Sequence, residues 1–159
     1  DGVPITLESM DIAELLKTVA EHSSRIGVDN VEYDGPASDI LCEIDSDALE
    51  DSLEHILKNA NRHRFPGTAI RISLDQTQPD FARISIENYG DRIPEYMLEE
   101  IFELYVSNHN GDERDSQGIG LFAARNYILR MNGNIAARNT ETGVSFDIVL
   151  PLAERLGTE

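Results

Sequence analysis

A chain of 159 residues with 40% hydrophobic content is one domain of ordinary size, large enough to bury a core without a disulfide or metal staple. Its 13 Lys and Arg stand against 30 Asp and Glu, and the formal charge of −17 argues against nucleic acid as a partner and requires local help for any phosphate ligand, from a cation or a metal ion. The single Cys42, inside the apolar run Ile40-Leu-Cys-Glu-Ile44, excludes an internal disulfide and reads as packing in a reducing, cytoplasmic setting. No apolar run approaches the roughly 18 residues of a membrane span and the amino terminus lacks the form of a signal peptide, so no direct membrane contact by this segment is expected.

In chain order, residues 1–9 read as the end of a preceding helix or a linker, and the domain proper as residues 10–152. Asp11 with Glu14 has the spacing of a capping box, and Ile12, Leu15, Leu16 and Val19 form the stripe of a first helix ending near His22. Val31-Glu-Tyr33 and Asp39 to Ile44 are strand-like, separated by the turn Asp34-Gly-Pro-Ala. Asp45 to Arg64 is a long helix whose core face carries Leu49, Leu53, Ile56, Leu57 and Ala60. Its solvent face collects Glu50, Asp51, Glu54, Lys58 and Asn61, while His55, Asn59 and Arg62 form a row between the two faces. That row can carry chemistry or simply be the polar rim of an amphipathic helix.

Ala69 to Leu74 and Phe81 to Asn88 alternate with period two around Gln76-Thr-Gln-Pro79 and predict an antiparallel hairpin. Each strand has one apolar face, which the amphipathic helices must cover, so the pattern predicts a two-layer α/β sandwich. Pro94 opens a short helix bearing Met97, Leu98, Ile101, Phe102 and Tyr105. Residues 107–117 contain no apolar side chain and are expected to be a mobile loop. Gly118-Ile-Gly120 leads into a helix running to about Met131, two strands follow near 135–138 and 144–150, and residues 153–159 are expected to form a frayed tail.

Four segments, in order and with matching spacers, resemble the catalytic ATP-binding domain of sensor histidine kinases, within the superfamily shared with gyrase, MutL and the large heat-shock ATPase chaperones. Leu53-x-His-Ile-Leu-Lys-Asn-Ala60 is similar to the kinase N box and Asn88-x-Gly90-x-x-Ile93-Pro94 to the first glycine box. Ile101-Phe-Glu-Leu-Tyr105 is similar to the F box, Ser116-x-Gly118-Ile119-Gly120-Leu121 to the second glycine box, and Gly143-x-x-Phe146-x-x-x-Leu-Pro151 to the closing strand. The resemblance implies an α+β fold of the GHKL type, with a mixed, mostly antiparallel sheet covered on one face by helices. It implies Asn59 as the magnesium ligand, an oxygen donor suited to a hard cation, Arg62 against phosphate and His63 beside the base. Asn88 falls where an Asp normally accepts the adenine amino hydrogen, with Gly90 and Ile93 in the same box. Gly118, Ile119, Gly120 and Leu121 would meet the phosphates from a helix amino terminus, beneath an ATP lid of residues 107–117 whose one cation is Arg114.

Three positions depart from the family pattern. Asn88 replaces the Asp, at a cost of about 1 kcal/mol in one hydrogen bond. Arg92 replaces a Gly, and either obstructs the base or supplies a cation to the phosphates. His55 stands where many kinases have Asn and where the ATPases have the Glu that activates water. It is a candidate catalytic residue with Asn59 and Arg62, and hydrolysis is not the chemistry expected of it. The resemblance thus implies binding of Mg-ATP and γ-phosphate transfer to a histidine on a separate helical dimerisation domain, because none of His22, His55, His63 and His109 has the acidic helical context of the family's acceptor. A downstream response regulator is the implied second partner, and the parent protein can be membrane-anchored. The alternatives are a degenerate module that keeps the fold for interaction or sensing, and a Ser/Thr kinase of the anti-sigma type or an ATPase.

Overall fold

The structure, a computed structural model, describes residues 4–103 and 114–153, with residues 77 and 114–119 described by backbone alone. Strands β1 (Glu8–Asp11), β2 (Val31–Asp34), β3 (Leu41–Ile44), β4 (Ile70–Gln78), β5 (Phe81–Tyr89), β6 (Asn134–Asn139) and β7 (Gly143–Pro151) are joined by helices α1 (Ile12–Glu21), α2 (Ser46–His63) and α3 (Arg114–Arg130). The main sheet has the order β2-β4-β5-β7-β6; β2 runs parallel to β4 and the other pairs are antiparallel, as expected of a mixed, mostly antiparallel sheet. β1 and β3 form a separate antiparallel pair.

Period-two alternation places one row of side chains after another on the helix-facing side of the sheet. Leu74, Ile84 and Ile148 are cross-strand partners in one row, and Ile72, Ile86 and Phe146 in the next; all are buried. The third row is Ile70, Asn88 and Val144, and there the apolar pattern breaks at its centre. Against these rows lies α2, whose Leu49, Leu53, Ile56, Leu57 and Ala60 are all completely buried. Its start is fixed by Asp45, which accepts from Ala48 N at 3.0 Å and from Thr6 N at 2.8 Å. Its end is fixed by Arg64, whose guanidinium pairs with Asp29 at 2.7 Å and donates to the Thr68 carbonyl at 2.9 Å. Asp11 caps α1 as its spacing predicted and also accepts from Asp39 N at 2.7 Å, tying α1 to the approach to β3.

Several expectations change. Glu8 and Ser9, read as part of a linker, are in β1, which owes its strand geometry to pairing with β3. The two strand-like segments after α1 are both strands, but β2 joins the main sheet and β3 the small one. The helix expected after Pro94 is a pair of 3₁₀ turns, Glu95–Met97 and Glu100–Phe102; Phe102 is buried edge-on against Phe146 at 6.0 Å. Tyr105 lies outside the described residues. α3 begins at Arg114, so residues 114–117, expected as loop, are helical; residues 107–113 of the expected lid lie outside the described residues. Cys42 is fully buried, and desolvation, with Asp11 adding to it, pushes its thiol up to about 12, which confirms packing over nucleophilic chemistry.

On the opposite face of the sheet, Asp147 accepts from Ser85 at 2.8 Å, Ser145 at 2.9 Å and Arg138 at 2.6 Å. Burial pushes its carboxyl pKa up, but the hydrogen bonds and the Arg138 charge outweigh this and hold it below the usual aspartate value. The folded-state pKa is therefore below the unfolded one, and the stability it contributes is present above about pH 4 and lost as pH falls through the folded value. Asp147→Asn is expected to cost about 1–3 kcal/mol at pH 7 by urea unfolding, with the difference from the parent chain closing toward pH 3.

Candidate nucleotide-binding site

The residues singled out from sequence fall along one edge of α2 and onto the two glycine-bearing segments that meet it. His55, one turn before Asn59, packs on α3: a Cβ placed on Gly120 would lie 2.6 Å from His55 Nδ1 and 3.1 Å from Cγ. The other ring nitrogen, Nε2, is 3.4 Å from Asp51. Both nitrogens of His55 are thus turned to neighbouring chain, and the close fit of Gly120 on the ring brings α3 against α2. Asn59 follows on the same edge and is buried, with 9% exposure, although its neighbours at this level of the helix are aliphatic. Arg62 and His63 occupy the last turn, both exposed, and the Arg62 charge complements the helix dipole. Although His63 is exposed at the surface, the surrounding chain still shields its imidazole; this desolvation, with the Arg62 charge, lowers its pKa despite the opposing Asp91. The ring is neutral at physiological pH and able to stack.

From His63 the edge continues onto β5. Gly90 forms a bridge with Arg64, and Phe65 N donates to the Tyr89 carbonyl at 2.8 Å, so the end of α2 is stitched to the end of β5. No side chain fits at Gly90: a Cβ would overlap the His63 carbonyl oxygen and reach 3.0 Å from Asn88 Nδ2. Gly143 makes the same kind of approach to the Asn88 carbonyl from β7. Asn88, at the centre of the third sheet row, is 4% exposed, and its Nδ2 has no hydrogen-bond partner among the described residues. By helix rise, His55 and His63 are separated by about 12 Å along α2, so the edge from Gly120 to Asn88 is long enough to span an extended small ligand.

Buried polar side chains sharpen the picture. Among the described residues these are four serines and two asparagines. Ser52 donates to the Ala48 carbonyl, and Ser85 and Ser145 donate to Asp147. The two asparagines are Asn59 and Asn88, the residues to which the resemblance gives metal and base.

Other expected residues are placed differently. Arg92 is exposed and donates from Nε to the Thr140 carbonyl at 2.8 Å, which ties the first glycine box to the turn between β6 and β7. Ile93 is half-buried and donates from its N–H to Asn139 Oδ1 at 2.9 Å. Gly118 and Gly120 are the fifth and seventh residues of α3, beyond the four N–H groups a helix leaves free, so they do not sit at its amino terminus as expected. The polar segment before them is helical, and that moves the terminus back to Arg114. Leu121 is buried in the core. The side chains of Arg114 and Ile119 are outside what is described.

Three contributors were missed. Asn139 grips the first glycine box at both ends of one residue, accepting from Ile93 N and donating to its carbonyl at 2.8 Å. Arg125 lies 5.3 Å over the Phe102 ring and pairs with Glu99 at 3.3 Å, fastening the 3₁₀ turns to α3. Gly143 was quoted for the closing strand without a part in the site. Only a glycine or an asparagine at a strand end hinted at any of these.

Comparison with known proteins gives the family and the fold. Residues 44–154 match the family described as histidine kinase-, DNA gyrase B-, and HSP90-like ATPase, and the chain belongs to that family. Among its relatives, the sensor protein PfeS of Pseudomonas aeruginosa is 32% identical over 117 residues, covering 72% of this chain and 25% of PfeS. The signal transduction histidine-protein kinase/phosphatase MprB of Mycobacterium sp. (strain KMS) is 25% identical over 152 residues, covering 92% of this chain and 29% of MprB. The chain spans less than a third of the length of the curated relatives it matches. The solved structure of a mycobacterial sensor histidine kinase MprB superposes with a TM-score of 0.77 at 22% identity, covering 94% of this chain and all of that one. Histidine kinase ThkA, solved in complex with response regulator protein TrrA, superposes with a TM-score of 0.73 at 22% identity over 94% of this chain and 42% of that one.

Gly120→Ala tests the contact at the other end of the site. The added methyl is expected to push α3 from α2 and weaken nucleotide binding about tenfold, and His55→Ala in the same chain is expected to recover most of that loss. A double variant no better than Gly120→Ala alone, by nucleotide titration, would show that the His55 ring is not what Gly120 accommodates.

Proposed function

We propose that this chain binds Mg-ATP along the α2 edge and presents the γ-phosphate to a histidine on a separate dimerisation domain. The observation that carries this reading is the pair of buried amides, Asn59 and Asn88, on the one edge where glycines admit close approach. An apolar side chain would serve packing better at both places.

Asn88 and Gly90 hold the base, with the neutral His63 ring beside it, and Arg62 meets the phosphates and offsets the acidity of the chain. Asn59 supplies a side-chain oxygen for magnesium. This donor set fits: the Asn59 amide offers a neutral oxygen suited to a hard cation, and magnesium takes few protein ligands when phosphate and water complete its shell. When bound, magnesium neutralises charge on the phosphates. In the transfer the bond from the γ-phosphorus to its bridging oxygen breaks, a bond to an imidazole nitrogen of the acceptor forms, the imidazole loses its proton and ADP leaves. Such a step depends on positioning and charge stabilisation. Since both ring nitrogens of His55 face Asp51 and Gly120, His55 positions α3 and does not activate water, and hydrolysis stays slow.

The named relatives, sensor kinases and a kinase solved with its response regulator, support a phosphoacceptor domain and a response regulator as partners. Among the described residues no helix is long and apolar enough to cross a membrane. Calorimetric titration with Mg-ATP is expected to give micromolar to low-millimolar affinity. No binding at several millimolar nucleotide would replace this reading with that of a degenerate interaction module.

A further inference from the structure

We infer that Asn88 accepts purines of either polarity at position 6, so that the site takes hypoxanthine and guanine nucleotides as well as adenine nucleotides. The inference rests on the nucleotide-binding reading above and concerns its base selectivity. Asn88 sits between Ile70 and Val144, neither of which offers a side-chain hydrogen bond, and its nearest glycine, Gly90, brings only a Cα. Its Nδ2 is buried and without a partner among the described residues.

That missing partner decides how the amide can behave. Had Nδ2 donated to a backbone carbonyl, Oδ1 would be fixed toward the ligand and Asn88 would imitate an Asp, an acceptor only. With no such bond, a half-turn about the last side-chain torsion exchanges oxygen for nitrogen with no loss of an internal hydrogen bond. Toward adenine, Oδ1 faces the base and accepts from the 6-amino group while Nδ2 stays buried. Toward a 6-oxo purine, the half-turn brings Nδ2 to the base, where it donates to O6. Either edge receives one complementary bond. A carboxylate would set oxygen against O6, and leaving buried polar groups mismatched is what gives a hydrogen-bonding site its selectivity.

The test is competition or calorimetric titration with the magnesium complexes of ATP, ITP, GTP and UTP, on the parent chain and on Asn88→Asp. ITP differs from ATP at the 6-position edge alone. For the parent chain, ITP is expected to bind within about fivefold of ATP, with UTP at least tenfold weaker than either, and for Asn88→Asp the preference for ATP over ITP should widen by about tenfold. The parent-chain ratio carries the test by itself if the variant does not fold. ITP more than fivefold weaker than ATP would overturn the inference and leave the ATP reading in place. UTP as tight as the purines would overturn it by showing that the phosphates alone are recognised. Binding of none of the four would overturn the nucleotide reading itself.

Discussion

Asn59→Ala is expected to remove most magnesium-dependent nucleotide binding while leaving the fold in place. Hydrogen bonds and ligand contacts to charged groups contribute about 1.5–3 kcal/mol, so the loss corresponds to roughly ten- to a hundredfold in affinity. Asn59 lies off the aliphatic stripe of α2, and all five apolar residues that carry that helix remain. The melting temperature should fall by no more than about 4 °C, the shift that 1 kcal/mol gives in a domain of this size. The comparison is made with magnesium and again with excess chelator: the parent chain should lose affinity on chelation, and Asn59→Ala should be weak in both conditions. Equal affinity with and without Asn59 would remove it from the metal.

Gly90→Ala is expected to damage both stability and binding. The new methyl would overlap the His63 carbonyl oxygen, a main-chain atom that cannot swing aside, and would press on the Asn88 amide. The segment cannot shift freely either, because the Arg64 bridge, the Phe65 to Tyr89 hydrogen bond and the Arg64–Asp29 ion pair hold the end of α2 to β5 and to the residues before β2. Overpacking of this kind costs about 1–3 kcal/mol. If α2 moves away from β5, the distance between Asn59 and Asn88 changes too, and affinity should fall by at least about tenfold. Urea unfolding and nucleotide titration on the same sample read the two effects. A destabilised chain with unaltered affinity would place the base elsewhere.

The parts of this fold that touch the core were legible in the residues, because burial imposes a period. Ile70, Ile72 and Leu74 announced β4, and the α2 stripe announced its helix to within one residue at each end. Segments that gain their structure from elsewhere were not. Glu8 to Asp11 has no alternation and is a strand because β3 pairs with it, and Arg114 to Gln117 carries no apolar residue yet belongs to the helix that places Leu121 in the core. The site divides the same way. Asn59 and Asn88 could be read from motif position, and burial then set them apart from ordinary rim residues. Arg92 could not be assigned, since its partner is a backbone carbonyl 48 residues away. Asn139 was hidden for the same reason, its hydrogen bonds running to the main chain of Ile93 across a gap in sequence.

The most direct measurement of the proposed chemistry is phosphoryl transfer in trans. The chain is incubated with ATP labelled at the γ-phosphate, with magnesium, alone and with the separately supplied dimerisation domain of the proposed parent kinase. Alone it should neither label itself nor release phosphate appreciably. With the acceptor present, label should appear on the acceptor's histidine, labile in acid and stable in alkali as a phosphoramidate is. Rapid phosphate release by the chain alone would contradict the account in favour of an ATPase, acid-stable label on a partner in favour of a Ser/Thr kinase, and tight nucleotide binding with no transfer to the correct acceptor in favour of a non-catalytic module.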